Sequence, residues 1–420
     1  MQIVLINMLG CGGAALLLFL ALPLARDFLP HLTVFSAAWG LNIAASQIIV
    51  EEESRPEVAT LVIVYLAWWA FLVGGLVSEA IRVKRHGAEF TFSPSRAKLL
   101  LVVLVVLQAV AVAYELKAVG VSDLRNLTSQ LSGARNRGEF LMLQLPPIVR
   151  HFRWASVFYI PIAFLLYAKR EIRLYTLLTV FVWGLGSSFL HFTRAPVLLT
   201  CITVFVSWVA VCPNLKRLQA ISATCLIGAL AITGAAMEFQ LSATRRTNVE
   251  LDLQTSAASY LGGSIKAYEG ILQGDFDRTP GWYSIDFLNL PLSRLGIVKE
   301  YPDLIRPYTP GPLQTNLYTY LDAFTLDLGP AMAILLTLVL GLASGKLYDG
   351  VRRRSDLANL AIYSYVVYAC AMSIANNEII RFSFLFVIVC AVLFNQFVRT
   401  STRHSSVSEP NSSRHPILQC

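Results

Sequence analysis

The stretch "TNLYTYLDAFTLDLGPAMAILLTLVLGLASGKLYD" (Thr315–Asp349) decides how the chain is read. Its second half, Ala331 to Leu347, is apolar for long enough to cross a bilayer. Its first half is polar and aromatic, and it places Tyr318, Tyr320, Asp322 and Asp327 at the entrance to that span. Two carboxylates at a bilayer entrance raise two questions: which side they face, and what else gathers there.

The rest of the chain supports the membrane reading. Of 420 residues, 55% are hydrophobic and only 14% are charged, with a mean hydropathy of +0.59. A soluble domain carries about a quarter charged residues. Apolar runs recur near 3–25, 32–50, 58–80, 97–116, 154–168, 172–190, 195–212, 217–238, 326–348, 357–375 and 380–398. They define an all-α polytopic integral membrane protein with about 11 (10–12) transmembrane helices. "MLGC" (Met8–Cys11) does not act as a lipoprotein site in this reading, because the apolar run mostly follows the cysteine. It begins a retained first helix. The cysteines lack Cys-x-x-Cys spacing and mostly fall inside apolar runs, which makes them small core residues. A net charge of +8 without a basic stripe interleaved with aromatics gives no nucleic-acid surface.

Sidedness follows from the short basic loops. "RVKRHGAEFTFSPSRAK", "AKREIR", "PNLKR", "KLYDGVRRR" and the tail from "VRTSTRH" fall on one side if the spans alternate, and such loops stay cytoplasmic. The chain then divides into N-terminal transmembrane helices (1–116), a first periplasmic loop (117–153) and central transmembrane helices (154–238). A large periplasmic loop (239–325), C-terminal transmembrane helices (326–398) and a polar, disordered cytoplasmic tail (399–420) follow. No Asp, Glu, Lys or Arg falls near the middle of a span, and no broken helix is evident. Both absences argue against a transporter.

The chemistry is therefore expected on the outer face, which is rich in arginine. "SGARNRGE" sets Arg135 and Arg137 between glycines, and "SSFLHFTRAPV" places His191 and Arg194 in a tight turn. "ANNEIIRFS" places Arg381 in another turn beside Glu378, and Arg306 lies in the Pro-rich end of the larger loop. Arginine captures phosphate with a planar fork, whereas a solvated loop or contact with lipid headgroups is the plainer account. The segment around Leu261–Leu272 has helical apolar spacing, fitting an amphipathic helix on the membrane surface or packing within the loop. No metal-ligand spacing, nucleophile elbow or phosphate-cradling Gly-Lys loop occurs. These residues suggest a lipid-anchored, phosphate-bearing substrate. A carboxylate would act as general base and arginines would steady the leaving phosphate.

The opening stretch resembles the C-terminal signature of the bacterial oligosaccharide repeat-unit polymerases, the Wzy-type O-antigen polymerases. The resemblance is carried by Thr315, Asn316, Tyr318, Thr319, Phe324, Asp327, Gly329, Gly341, Gly345 and Tyr348. "HFTRAP" is similar to the family's short Thr-Arg turn, and "SGARNRGE" to its Arg-Gly region. Met332 stands where the family often has a second glycine. The clear match spans about 35 residues. It implies an inverting, metal-independent glycosyltransferase of GT-C-like fold in the bacterial inner membrane, needing no cofactor. Its donor and acceptor would be undecaprenyl-diphosphate-linked oligosaccharides, joined on the periplasmic side into O-antigen, capsule or exopolysaccharide. A chain-length regulator and a flippase of the same pathway would be its partners. His191, Asp322 or Asp327 would take the proton, unless Asp327 caps its helix. Arg135, Arg137, Arg194, Arg306, Arg381, Asn316, Tyr318 and Tyr320 would hold the substrate and its diphosphate. An O-antigen ligase would carry His-Asn where this chain has Thr315-Asn316; a lipid-linked oligosaccharide flippase is the rival of another class.

Overall fold

A computed structural model describes residues 2–25, 29–50, 52–81, 92–118, 146–190, 195–211, 262–274, 283–297, 318–354 and 356–399. Apart from one isolated bridge between Phe92 and Arg399, the regular structure among the described residues is helical. The long apolar helices are α1 (Gln2–Ala25), α2 (Pro30–Ile48), α3 (Val58–Ala80) and α4 (Pro94–Ala118). After the short α5 (Pro147–Phe152) come α6 (Ser156–Ala168), α7 (Leu174–Leu190) and α8 (Ala195–Val211). Two loop helices, α9 (Gly263–Gln273) and α10 (Asp286–Arg294), precede α11 (Leu321–Leu328), α12 (Pro330–Arg353), α13 (Leu357–Met372) and α14 (Phe382–Val398). Every apolar run of the sequence carries a helix except 217–238, which lies outside the described residues.

Among the described residues, three helices are long and apolar enough to cross a membrane: Val58–Ala80, Pro94–Lys117 and Pro330–Arg353. Shorter apolar helices surround them. Leu99, Val102, Val103, Val106 and Val110 of α4 are exposed together, an apolar flank of the kind that lipid covers. The bundle is thus compatible with a polytopic membrane protein.

Several described basic residues that flank the long helices gather at one end of the bundle. Lys98 at the start of α4 pairs with Glu171 after α6 at 2.8 Å, and Arg352 of α12 pairs with Glu79 of α3 at 3.2 Å. The end of α14 bonds back through Val398 O to Ser93 N. At the opposite end stand α9, α10 and the turns into α3 and α12; we call it the loop end.

Helices α3 and α12 run side by side with their backbones in near contact. A Cβ on Gly341 would lie 2.1 Å from the carbonyl oxygen of Phe71, and one on Gly74 would lie 2.1 Å from that of Leu338. Small residues at a helix crossing allow this approach, which in lipid is the main source of association. Further down the pair, the Tyr348 ring stacks on Tyr363 at 5.0 Å, with the Arg352 guanidinium 4.9 Å above it. The signature glycine and tyrosine therefore serve packing. Met332, at the position where the resembled family often has another glycine, is 41% exposed.

The sequence reading of one continuous span over 326–348 requires correction. The helix breaks at Gly329, whose φ of 85° and ψ of 165° suit only glycine, and restarts at Pro330. The Tyr320 hydroxyl bonds Thr337 Oγ1 at 2.8 Å. A straight helix would hold those residues about 25 Å apart. Helix α11 therefore folds back along α12 as a hairpin. Its first residues lie about 10 Å, or two helical turns, below the start of α12.

Two short non-helical segments thus sit at depth, Tyr318–Tyr320 and Ser373–Arg381, and they satisfy each other. Tyr320 N donates to Ser373 O at 2.8 Å, and Asn377 Nδ2 donates to Tyr320 O at 3.0 Å. The turn after α13 is therefore sunken, and α13 and α14 are short because they end at it. Helix α9 is also set into the bundle. Ile265, Ala267, Tyr268 and Glu269 are buried, so of the two readings of this segment the structure takes packing over a surface-lying helix.

Replacing Gly329 with alanine is expected to cost about 1–3 kcal/mol, through backbone strain alone, because nothing lies within 4 Å of the added Cβ. Gly341→Leu should do more damage by driving α3 off α12. Thermal unfolding of the detergent-solubilised variants checks both; an unchanged midpoint for Gly341→Leu would contradict the close crossing.

Candidate functional site

The folded-back hairpin and the sunken turn bring polar side chains into an otherwise apolar bundle. Tyr320 is buried among Phe35, Trp39 and Thr337, with ring centroids of Phe35 and Trp39 each 5.8 Å from its own. Trp39 Nε1 donates to Ser373 Oγ at 2.9 Å, which ties α2 to the same junction. Tyr318 and Thr319 are buried beside it, and Thr319 Oγ1 finds no hydrogen-bond partner among the described residues. Tyr320 therefore acts as a wedge that holds the hairpin inside the bundle.

The two carboxylates of the opening stretch are not both at the mouth. Asp322 lies in the first turn of α11, at the deep end, and is buried. Asp327 lies in the last turn, at the loop end, and is half-buried. Five residues apart, they point about 140° away from each other around the helix. Asp322 Oδ1 accepts from Ala323 N at 2.6 Å. Its charge also acts on Tyr268, whose phenol is pushed up to about 12, chiefly by burial, although its hydrogen bond to Thr325 opposes the shift.

Asp327 is bound to a different partner from the one expected. The N-cap of α12 is Gly329, without a side-chain cap, so Asp327 does not cap that helix. Instead Oδ1 accepts from Tyr283 N at 3.4 Å and Oδ2 from Ser284 N at 2.5 Å. Ser284 Oγ donates to Ala323 O at 3.3 Å, and Phe287 N donates to Ile380 O at 2.8 Å. Residues 283–287 thus form a strap from the top of the hairpin down to the sunken turn, and Asp327 is its anchor.

The turn itself is organised by Glu378, which is 5% exposed. Its Oε2 accepts from the Tyr365 hydroxyl at 3.2 Å, and its Oε1 accepts from Asn376 Nδ2 at 2.9 Å. Arg381 Nε stands 3.7 Å from Oε1. Tyr365 also meets Ser383 Oγ at 2.7 Å. Beside this group, Tyr368 is fully buried, in edge contact with Tyr365 at 5.4 Å and with Trp154 at 6.1 Å. The Arg153 guanidinium lies 5.3 Å from the Trp154 ring. His151 stacks on Phe386 at 4.6 Å.

Of the residues expected to act, the structure joins Tyr320 and Arg381 to one junction, with Tyr318 and Asp322 beside Tyr320, and links Asp327 to it through the strap. His191, Arg135, Arg137, Arg194, Arg306 and Asn316 lie outside the described residues. Sequence reasoning passed over Tyr365 and Tyr368 as ordinary span aromatics; their three-residue spacing on α13, facing Glu378 across a tight turn, was the available signal. The expectation of no broken helix is also corrected, since α11 ends at Leu328 and α12 restarts at Pro330. Arg381 and Glu378 sit in a turn level with the inner end of a broken hairpin. Comparison with known protein families, curated proteins and solved structures finds no match to this chain.

Asp327→Ala would leave two strap N–H groups without their acceptor, costing about 1–3 kcal/mol each where they stay buried. Amide hydrogen exchange at Tyr283–Phe287 should quicken about tenfold or more. Unchanged exchange would show that the carboxylate does not hold the strap.

Proposed function

We propose that the protein is a membrane glycosyltransferase that polymerises undecaprenyl-diphosphate-linked oligosaccharide repeat units into a surface polysaccharide on the periplasmic face of a bacterial inner membrane. The observation that carries the reading is the junction just described. The residues of the polymerase-like signature build a buried hairpin against a turn bearing Arg381 and Glu378. In this reading the acceptor sugar's hydroxyl oxygen attacks the donor's anomeric carbon as the bond from that carbon to the lipid diphosphate breaks. The configuration inverts, the hydroxyl proton passes to a base, and the diphosphate leaves with its charge steadied by arginines.

Asp327 already receives a backbone N–H on each oxygen, so we assign it to positioning the strap. The base is then sought at Asp322 or His191. Arg381 is assigned to the diphosphate, together with Arg135, Arg137, Arg194 and Arg306 from the loops.

A second reading, movement of a lipid-linked glycan across the bilayer, is favoured by one observation. A broken helix with ionisable side chains at its inner end is a feature of transporters. The purified protein in nanodiscs, supplied with the host's lipid-linked repeat unit and EDTA, separates the two. The polymerase reading predicts a ladder of products for wild type and a loss of about 10²–10⁴ in rate for Asp322→Asn if that carboxylate is the base. Asp327→Asn, which still offers the strap a carbonyl oxygen, should retain most of the rate. No ladder, with lipid-linked unit crossing proteoliposome membranes, would overturn polymerisation in favour of transport.

A further inference from the structure

Helix α10 is turned inside out. Its Asn289 is buried, whereas Leu288 and Leu295, at helical spacing on one face, are exposed, with Leu292 half-buried between them. A helix bathed in water turns its polar side outward. At the end of α10 the chain reverses at Gly296, whose φ is 70°; Gly296 N donates to Ser293 O and Ile297 N to Leu292 O, each at 3.0 Å. A stop of this kind commonly packs its last apolar residue back against the helix. Here Ile297 stays 67% exposed and Leu295 72% exposed. With Leu288, large aliphatic side chains stand uncovered along one short element.

The level of α10 in the bundle says what covers them. Phe287 N, in its first turn, donates to Ile380 O of the sunken turn, so the helix starts below the entrance of α12. The sunken turn is level with the inner end of the hairpin, about 10 Å down, and α10 is only about 13 Å long. Whichever way it runs, its far end rises to about the level of that entrance at most. The entrance itself stands at the edge of the hydrocarbon. From Pro330 to Lys346, the first charged side chain of α12, is about 24 Å of helix, against a core roughly 30 Å thick. The outward row of this span, Met332, Leu335 and Val339, is exposed and leads up to exposed Leu328, beside the Asp327 carboxylate from which the strap descends to α10. The apolar face of α10 is therefore tied to the lipid-facing row of a span and held at its depth.

We propose that α10 and its capped end lie in the leaflet at the loop end and take that leaflet's acyl chains as their partner, through Leu288, Leu295 and Ile297. The segment then fastens the strap on its lipid side, as Asp327 fastens it on its protein side. A stretch that belongs to the larger loop by sequence is thereby an in-plane membrane element. The inference needs the bilayer and is independent of the polymerase reading.

Fluorescence quenching in the full-length protein tests it, after replacement of the native cysteines and reconstitution in phosphatidylcholine vesicles. A bimane label is placed singly through Leu295→Cys, Ile297→Cys, Leu335→Cys on the outward row of α12, or Glu52→Cys, an exposed polar position at the loop end. Each variant is checked for the wild-type unfolding temperature. Phosphatidylcholine carrying a nitroxide near the carbonyl end of its acyl chain should dim the labels at 295, 297 and 335 alike and leave the one at 52 bright. Iodide in the water should do the reverse. Iodide quenching at 295 and 297 as strong as at 52 would overturn the proposal, because the face would then lie in water. Labels there shielded from both quenchers would also overturn it, assigning the face to another protein or to a second copy of this chain. A label at 335 that the lipid nitroxide fails to reach would remove the lipid-facing row on which the inference stands, and the inference with it.

Discussion

Two interrupted stretches of backbone inside an apolar bundle must find hydrogen-bond partners in protein, because lipid supplies none. That constraint governs this structure. The entry to α11 and the exit from α13 meet at depth, where Tyr320 gives its N–H to Ser373 and receives Asn377 on its carbonyl. Neither segment could sit at that level without the other. Met372 O receives the N–H groups of both Ala375 and Asn376, which closes the end of α13, and Ile380 O is taken by Phe287 of the strap.

The surrounding features follow from holding this junction in place. Gly329 turns the chain so that α11 can return beside α12. The close crossing of α3 on α12 brings Phe71 against Phe35, their rings stacked at 4.0 Å, and Phe35 in turn forms a wall for Tyr320. Helix α9 closes the loop end. Tyr268 reaches Thr325 of α11 at 2.8 Å, Ser264 receives Asn42 of α2 at 3.0 Å, and Glu269 receives the backbone N–H of Glu57. Helices far apart in sequence are thereby fastened around one hairpin, and the polar turn with Glu378 and Arg381 is held where water and lipid would not place it.

How much of this was legible in the sequence depends on the range of the interaction. Apolar runs of span length announce their helices directly, because each run satisfies its own backbone and needs no partner; α3 and α4 are read off nearly residue for residue, whereas the run behind α12 begins before its break and stops short of its end. The glycines at 74 and 341 show as small residues, but which helix each meets is a tertiary fact. The hairpin at Gly329 was missed for a related reason. "LDLGPAM" reads equally well as the cap of a straight span, and only the bond from Tyr320 to Thr337 distinguishes a fold-back. Asp327 invited a catalytic or capping role by its place at a span entrance, yet its acceptors' partners, Tyr283 and Ser284, come from a loop with no periodicity of its own. Glu378 was visible as a charge in a tight turn. That the turn is sunken depends on the lengths of α13 and α14 relative to α12, which hydropathy alone does not resolve.

The proposed function and the fold therefore meet at the same place, since the proposal requires the hairpin to exist. The most direct test is cross-linking, by a bifunctional thiol reagent about as long as a tyrosine side chain, of cysteines placed at Tyr320 and Thr337 in a protein whose native cysteines have been replaced. The hydroxyl-to-hydroxyl contact leaves the two backbones too far apart for a direct disulfide. A folded-back α11 predicts ready cross-linking in membranes, with no cross-link from Tyr320 to a cysteine at Met332, near the start of α12. A continuous helix through Gly329 would set positions 320 and 337 about 25 Å apart. The absence of any 320–337 cross-link with that reagent, in a variant that unfolds at the wild-type temperature, would contradict the account.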